Sequence, residues 1–290
     1  MFKGSIVALV TPFRNGDVDY EKLKELVEFH IKHGTDGIVP VGTTGESPTL
    51  SHGEHEKVIA TVTEAAGGRV PVIAGAGSNN TTEAISLTKF SKSVGADATL
   101  QVTPYYNKPT QAGLVAHFRK IADDVDLPIV LYNIPGRSVI SMTPETIAEL
   151  AGHPNIVAVK EATGSLAQAS SILNLCDITI LSGDDALTLP LMSVGAKGVI
   201  SVVANVVPAR MAELARKVLE GDFTGAREIH DELWLLFKMS MIESNPIPVK
   251  AMMKCMGMIT GELRLPLVPL LEKNEKTMLE VMRKLGLLDK

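Results

Sequence analysis

The chain has 290 residues, of which 45% are hydrophobic and 21% charged, the make-up of a globular chain with room for one large core and an appendage. A formal net charge of -5, with no run of like charges, leaves no basic footprint for nucleic acid or for an anionic membrane surface. Cys176 and Cys255 stand far apart in apolar surroundings, so they read as small buried hydrophobes in a reducing, cytoplasmic setting, with no disulfide framework or metal knuckle.

The first apolar run, Ser5 to Val10, is too short for a signal segment, and no stretch approaches the about 18 apolar residues that cross a bilayer. It is the first of eight strand candidates rich in Val, Ile and Thr, which begin near Ser5, Gly37, Val70, Ala98, Pro128, Ile156, Ile178 and Gly198. A helical pattern follows each. Asp19 caps the first, with Gly34 after its end; Ser51 with Glu54 forms a capping box for the second, and Asn80 with Glu83 repeats that pattern. Thr143-Pro144 places a cap before a proline at the first helical position. Beyond about residue 222 the strands cease, and helical patterns cover Ala226 to Met239, Val249 to Met258 and Glu275 to Leu287. These patterns predict an α/β fold, a (β/α)8 TIM barrel over residues 1–222, with a helical appendage over 223–290 packed on it. A doubly wound open sheet usually carries a glycine-rich fingerprint after its first strand; Val10-Thr11-Pro12-Phe13 stands there instead.

In such a barrel the chemistry gathers where the strands end. The second ends in Gly42-Thr43-Thr44-Gly45-Glu46-Ser47, where glycines let backbone approach a ligand and successive amides and hydroxyls can hold a small anion. Three of the four tyrosines fall at the ends of the fourth and fifth strands: Tyr105, Tyr106 and Tyr132. A tyrosine hydroxyl coupled to a threonine hydroxyl can pass a proton without introducing a charge. The sixth strand, Ile156-Val157-Ala158-Val159-Lys160-Glu161, carries a lysine at its end. Burial there disfavours the ammonium form, and a free amine attacks a ketone to give a Schiff base, an electron sink for making or breaking a neighbouring carbon-carbon bond. Alternation puts Ile156, Ala158 and Lys160 on one face, with small Ala158 leaving room below the amine. The bland reading is a lysine that snorkels to water or pairs with Glu161. Lys250 is the nearest rival, but its surroundings read as a helix start from which a long side chain reaches water.

The motifs GTTGES, VTPYYNKP, YNIPGRS, VKEATG, LSGDDA, GVISVVAN and NPIPVK, spread from Gly4 to the C-terminal helices, carry a family resemblance. The chain resembles the dihydrodipicolinate synthase (4-hydroxy-tetrahydrodipicolinate synthase) family, within the pyruvate-dependent Schiff-base aldolases and lyases that include N-acetylneuraminate lyase. The resemblance implies condensation of pyruvate with L-aspartate-4-semialdehyde in diaminopimelate and lysine biosynthesis. Lys160 would form the Schiff base, while Thr43, Tyr132 and Tyr106 would form a proton relay, with Tyr106 supplied across a tight dimer interface of a homotetramer. Thr44 matches the threonine that helps hold the pyruvate carboxylate, Arg137 the arginine for the semialdehyde carboxylate, and Gly183 and Ile200 residues lining the pocket. A guanidinium suits that second carboxylate, since it is always charged and grips two oxygens at once. This chemistry requires no metal or other cofactor, and the His52/His55 pair lacks the partners of a zinc site.

By the same resemblance an inhibitory lysine site at the dimer interface would use Ser47, His52, His55, Asn79, Glu83 and Tyr105. Otherwise the two histidines decorate a helix turn on a solvated face. The rival functions are a related aldolase acting on N-acetylneuraminate or a 2-keto-3-deoxy sugar acid, which would have less need of Arg137, and a barrel that binds a keto acid without catalysis.

Overall fold

The computed structural model of the chain describes residues 2–288. Its frame is eight parallel strands: β1 (Gly4–Ala8), β2 (Gly37–Val39), β3 (Ile73–Gly75), β4 (Ala98–Val102), β5 (Ile129–Asn133), β6 (Ile156–Glu161), β7 (Thr179–Ser182) and β8 (Gly198–Ser201). Each is followed by a helix: α1 (Tyr20–Lys32), α2 (His52–Ala66), α3 (Thr81–Ser93), α4 (Gln111–Asp124), α5 (Pro144–Ala151), α6 (Leu166–Leu175), α7 (Thr188–Ser193) and α8 (Pro208–Leu219). A helical crossover brings each strand back in the same direction as the last, which is why the pairings of these eight strands are parallel. Gly4 lies opposite Gly198, so β1 pairs with β8, and the ring closes between β2 and β3 through the Ile38–Val72 bridge. Pro71, which has no N–H to give, accepts from the Ile38 amide at 2.9 Å; the third strand therefore starts at Ile73 and not at Val70.

Ile6, Val39, Ile73, Leu100, Val130, Ala158, Leu181 and Ile200 fill the barrel interior, while two larger apolar clusters lie between the strands and the helices. Strict alternation on β6 is not kept. The pairing shifts between Ile129 and Val130, so that Ile129 faces Ile156 but Val130 faces Ala158, and Ile156 joins the outer cluster while Ala158 stays inside. The irregularity leaves the register beyond it intact, with Tyr132 beside Lys160 and Lys160 beside Leu181.

The expected caps of α1, α2 and α5 are present: Asp19 accepts from the Lys22 amide, Ser51 and Glu54 form the reciprocal box, and Thr143 accepts from Thr146 ahead of Pro144. At α3 only half of the expected box forms. Asn80 caps the helix, but Glu83 turns its carboxylate to the Ser78 hydroxyl and to His52.

After the barrel come α9 (Phe223–Ser240), α10 (Ile247–Cys255) and α11 (Glu272–Lys284). Leu233, Phe237, Met252, Met253, Met278 and Met282 share one apolar cluster with Leu9, Leu23, Leu26 and Val203 of the barrel. The C-terminal helices are therefore packed on the barrel by continuous burial, and Phe237, Ser240, Met241 and Asn245 also form a wall of the cleft at its mouth.

Candidate active site

Lys160 is the second-to-last residue of β6, at the end of the strand where the cleft begins. Its side chain is nearly all buried, and Nζ lies 4.1 Å from the centroid of the Tyr132 ring on the neighbouring strand. The stem has little freedom. A methyl group placed on Gly183 would come within 3.2 Å of Lys160 Cε and 2.6 Å of Ala162 Cβ, so only glycine fits beside the amine. Glu161 does not neutralise it: its carboxylate accepts from the Thr163 amide at 2.8 Å and from Asn133 Nδ2 at 3.2 Å. Burial pushes the Glu161 carboxyl up, and these hydrogen bonds oppose the shift. Among the described residues no carboxylate is salt-bridged to Lys160.

Thr43 and Thr44 stand on the turn that follows β2. Gly45 N and Ser47 N both donate to the Gly42 carbonyl, and Glu46 N donates to Thr43 O at 3.1 Å. Gly45 is required, because a side chain there would meet Val41 N at 2.9 Å and Leu9 O at 3.2 Å. Thr44 Oγ1 accepts from Asn245 Nδ2 at 2.9 Å, and the Asn245 carbonyl accepts from Arg137 Nη2 at 3.2 Å. Arg137 itself sits on a single helical turn, Pro135–Ser138, at the end of β5. The structure thus brings Lys160, Tyr132, Thr43, Thr44, Arg137 and Gly183 around one cleft. Ile200 lies one layer lower, in the barrel interior. Tyr106 is kept out: it has a left-handed backbone, φ 71°, and is 89% exposed, away from its own chain's cleft.

Asp185, also on the cleft wall, accepts from Ser201 Oγ at 2.5 Å and from the amides of Val202 and Val203, tying the end of β7 to the end of β8. Burial pushes its carboxyl up to about 6 against those bonds. Asp185 and Asn245 stand in the motifs LSGDDA and NPIPVK, but nothing local marks either residue, and the Thr44 partner of Asn245 lies 201 residues away.

The residues expected to hold lysine divide in two. Ser47 and Tyr105 line a second hollow that opens beside the first and shares Thr43, Tyr132 and Arg137 with it. His52 Nε2 lies 3.2 Å from Glu83 Oε1, and Asn79 Nδ2 donates to the Tyr105 carbonyl at 3.1 Å. His55 is not on a solvated face. It is buried, with Nε2 2.7 Å from the Gly75 carbonyl oxygen, and desolvation lowers its pKa. Lys250 likewise does not reach water; α10 buries it completely against Glu46.

A model of the dihydrodipicolinate synthetase family matches residues 1–285. The chain is 56% identical over 290 residues to the 4-hydroxy-tetrahydrodipicolinate synthase of Geotalea uraniireducens (strain Rf4), across 99% of this chain and 100% of the relative. Its fold is similar to the crystal structure of dihydrodipicolinate synthase from Aquifex aeolicus, with a TM-score of 0.98, 53% identity and 100% of both chains covered. It is also similar to a Cyanidioschyzon merolae structure with lysine bound, with a TM-score of 0.96, 44% identity and 99% of each chain covered.

Proposed function

The chain belongs to the dihydrodipicolinate synthetase family, and from that premise we propose how its cleft carries out the condensation of pyruvate with L-aspartate-4-semialdehyde to 4-hydroxy-tetrahydrodipicolinate, on the route to diaminopimelate and lysine. Lys160 attacks the pyruvate ketone, and loss of water gives an imine. The methyl group then yields a proton and the resulting enamine carbon attacks the aldehyde. The semialdehyde's amino group closes the ring onto the former ketone carbon and expels the lysine, so the amine is regenerated. Thr43 and Tyr132 carry the protons, with Tyr106 of a second copy completing the relay. Thr44 holds the pyruvate carboxylate, Arg137 that of the semialdehyde, Gly183 leaves space beside the amine, and Ile200 closes the floor.

The observation that carries this reading is a buried lysine, with no carboxylate salt-bridged to it among the described residues, next to a tyrosine at the end of a barrel strand. The fully exposed position of Tyr106, outside its own cleft, supports a tight dimer as the working unit, and we extend this to a homotetramer of such dimers. Free lysine is the proposed inhibitor, held by Ser47, His52, Asn79, Glu83 and Tyr105, with His55 supporting the site from behind through Gly75; the hollow that Ser47 and Tyr105 line together with Thr43 and Tyr132 is the means of coupling. The division at residue 222 separates reagent groups, in 1–222, from the cleft wall and supports supplied by 223–290. No helix of the described residues is long and apolar enough to cross a membrane, and both cysteines are unpaired thiols, which fits a reducing cytoplasm.

Treatment with pyruvate and borohydride tests the reading, since reduction turns the imine into a stable amine. The expected adduct is on Lys160. An unmodified Lys160 in a protein that turns over both substrates, or an equal adduct on Lys250, would sink the mechanism.

A further inference from the structure

Lys250 has no part in the chemistry above, yet its side chain is completely buried. Nζ lies 2.5 Å from Glu46 Oε1 and 3.0 Å from the Thr11 carbonyl oxygen, 4.2 Å from the centroid of the Phe13 ring. Arg264 packs on the same ring at 4.4 Å, and its backbone amide donates to Glu46 Oε2 at 3.1 Å. Both oxygens of Glu46 are therefore held by C-terminal groups. Glu46 and Lys250 line neither the cleft nor the hollow beside it.

A buried ion pair is a poor device for stability alone, because apolar side chains of equal volume often do as well or better. What this pair has is direction. Glu46 adopts the left-handed backbone region, φ 54°, which a glutamate enters only under constraint, and its amide is bonded to the Thr43 carbonyl. The carboxylate that anchors the turn and Thr43, which lines the cleft, are three residues apart on one segment.

We propose that the Glu46–Lys250 pair is a positioning device that sets the rotation of the Gly42–Ser47 turn, and hence the place of the Thr43 hydroxyl in the proton relay. The proposal rests on the relay reading of Thr43. It makes Glu46 and Lys250 positioning residues: removing the pair leaves Lys160 able to form its imine but slows the proton transfers that follow.

The test is a cycle built on a double variant, Glu46→Gln with Lys250→Met, which removes both charges while keeping an acceptor for the Arg264 amide and the bulk of the lysine stem. Circular dichroism and a thermal transition establish folding; should the double variant not fold, Glu46→Asp, which keeps the charge but shortens the reach, takes its place in the same cycle. The expected result is a kcat lower by about 10- to 100-fold, as for a reacting group misplaced by about 1 Å. KM for pyruvate and the yield of borohydride-trapped imine should stay within about threefold of the parent. Thr43→Val should be slow by itself, and adding the pair's substitutions to it should cost little more, because the pair acts only through that hydroxyl. A folded double variant with parental kcat, or losses that multiply with those of Thr43→Val, would overturn the proposal and leave the pair a structural tie. A Thr43→Val enzyme with parental kcat would remove the relay reading too, an outcome distinct from the other two.

Discussion

Lys160 and Lys250 are both buried, and different groups lie against their amines. A charge withdrawn from water is held most readily with a counter-charge against it. Lys250 has Glu46 against it, which opposes the downward pull of burial on its pKa, and it is held across three parts of the chain at once. Lys160 has an aromatic ring and an open cleft. Arg137, proposed above for the semialdehyde carboxylate, has its guanidinium at the cleft, where it donates to the Asn245 carbonyl. Arg137→Ala is expected to lower kcat/KM for aspartate-4-semialdehyde on the order of a hundredfold, the loss of a charge-assisted contact, while the pyruvate imine still forms. Unchanged kinetics with the semialdehyde would move the role elsewhere and bring back a sugar acid as substrate.

The elements that the sequence made legible are those specified by near neighbours. The caps at Asp19, Ser51 and Thr143 bond within three residues of themselves, and the strands announce themselves as β-branched runs at barrel spacing. Glu83 misled because a capping glutamate must stay free to turn back, and here Ser78 and His52 compete for it. The displacement of Ile156 was hidden because alternation within one strand carries no knowledge of its neighbour's register. Asn245 and Lys250 were hidden for the same reason at longer range: their bonds to Thr44 and Glu46 span 201 and 204 residues. The Gly42–Ser47 turn, by contrast, is written in its glycines. Gly45→Ala is expected to destabilise the protein by about 1–3 kcal/mol, since the new methyl meets backbone that cannot step aside. A urea midpoint equal to the parent's would mean that the turn can shift, and that it is not the rigid mount described above.

Across the whole molecule, buried imidazoles contribute to the response to acid. Burial lowers the pKa of His30 to about 3 and of His117 to about 4, below the usual 6.5. The unfolded chain therefore binds protons that the folded one refuses, and these groups withdraw stability as pH falls below 6.5. Asp185 works in the opposite sense: raised to about 6 from 3.8, its contribution is fully present below 3.8 and is lost as pH rises through about 6. His30→Gln isolates one term. Between pH 7.5 and 5 the parent should lose about 2 kcal/mol more than the variant by urea titration, the cost of one suppressed protonation. Equal losses would mean that His30 is protonated in the folded state.

The closure of the ring has its own consequence for how the molecule is made. β1 pairs on one side with β2 and on the other with β8, from Gly4 opposite Gly198 to Val7 opposite Ser201. At about 5–20 residues per second, a ribosome releases the first strand about 10 to 40 s before its last partner exists. Throughout that interval one edge of β1 offers unpaired amides and carbonyls to any strand that passes. The open edge is a hazard only while synthesis proceeds, and no equilibrium measurement on the finished chain reports it.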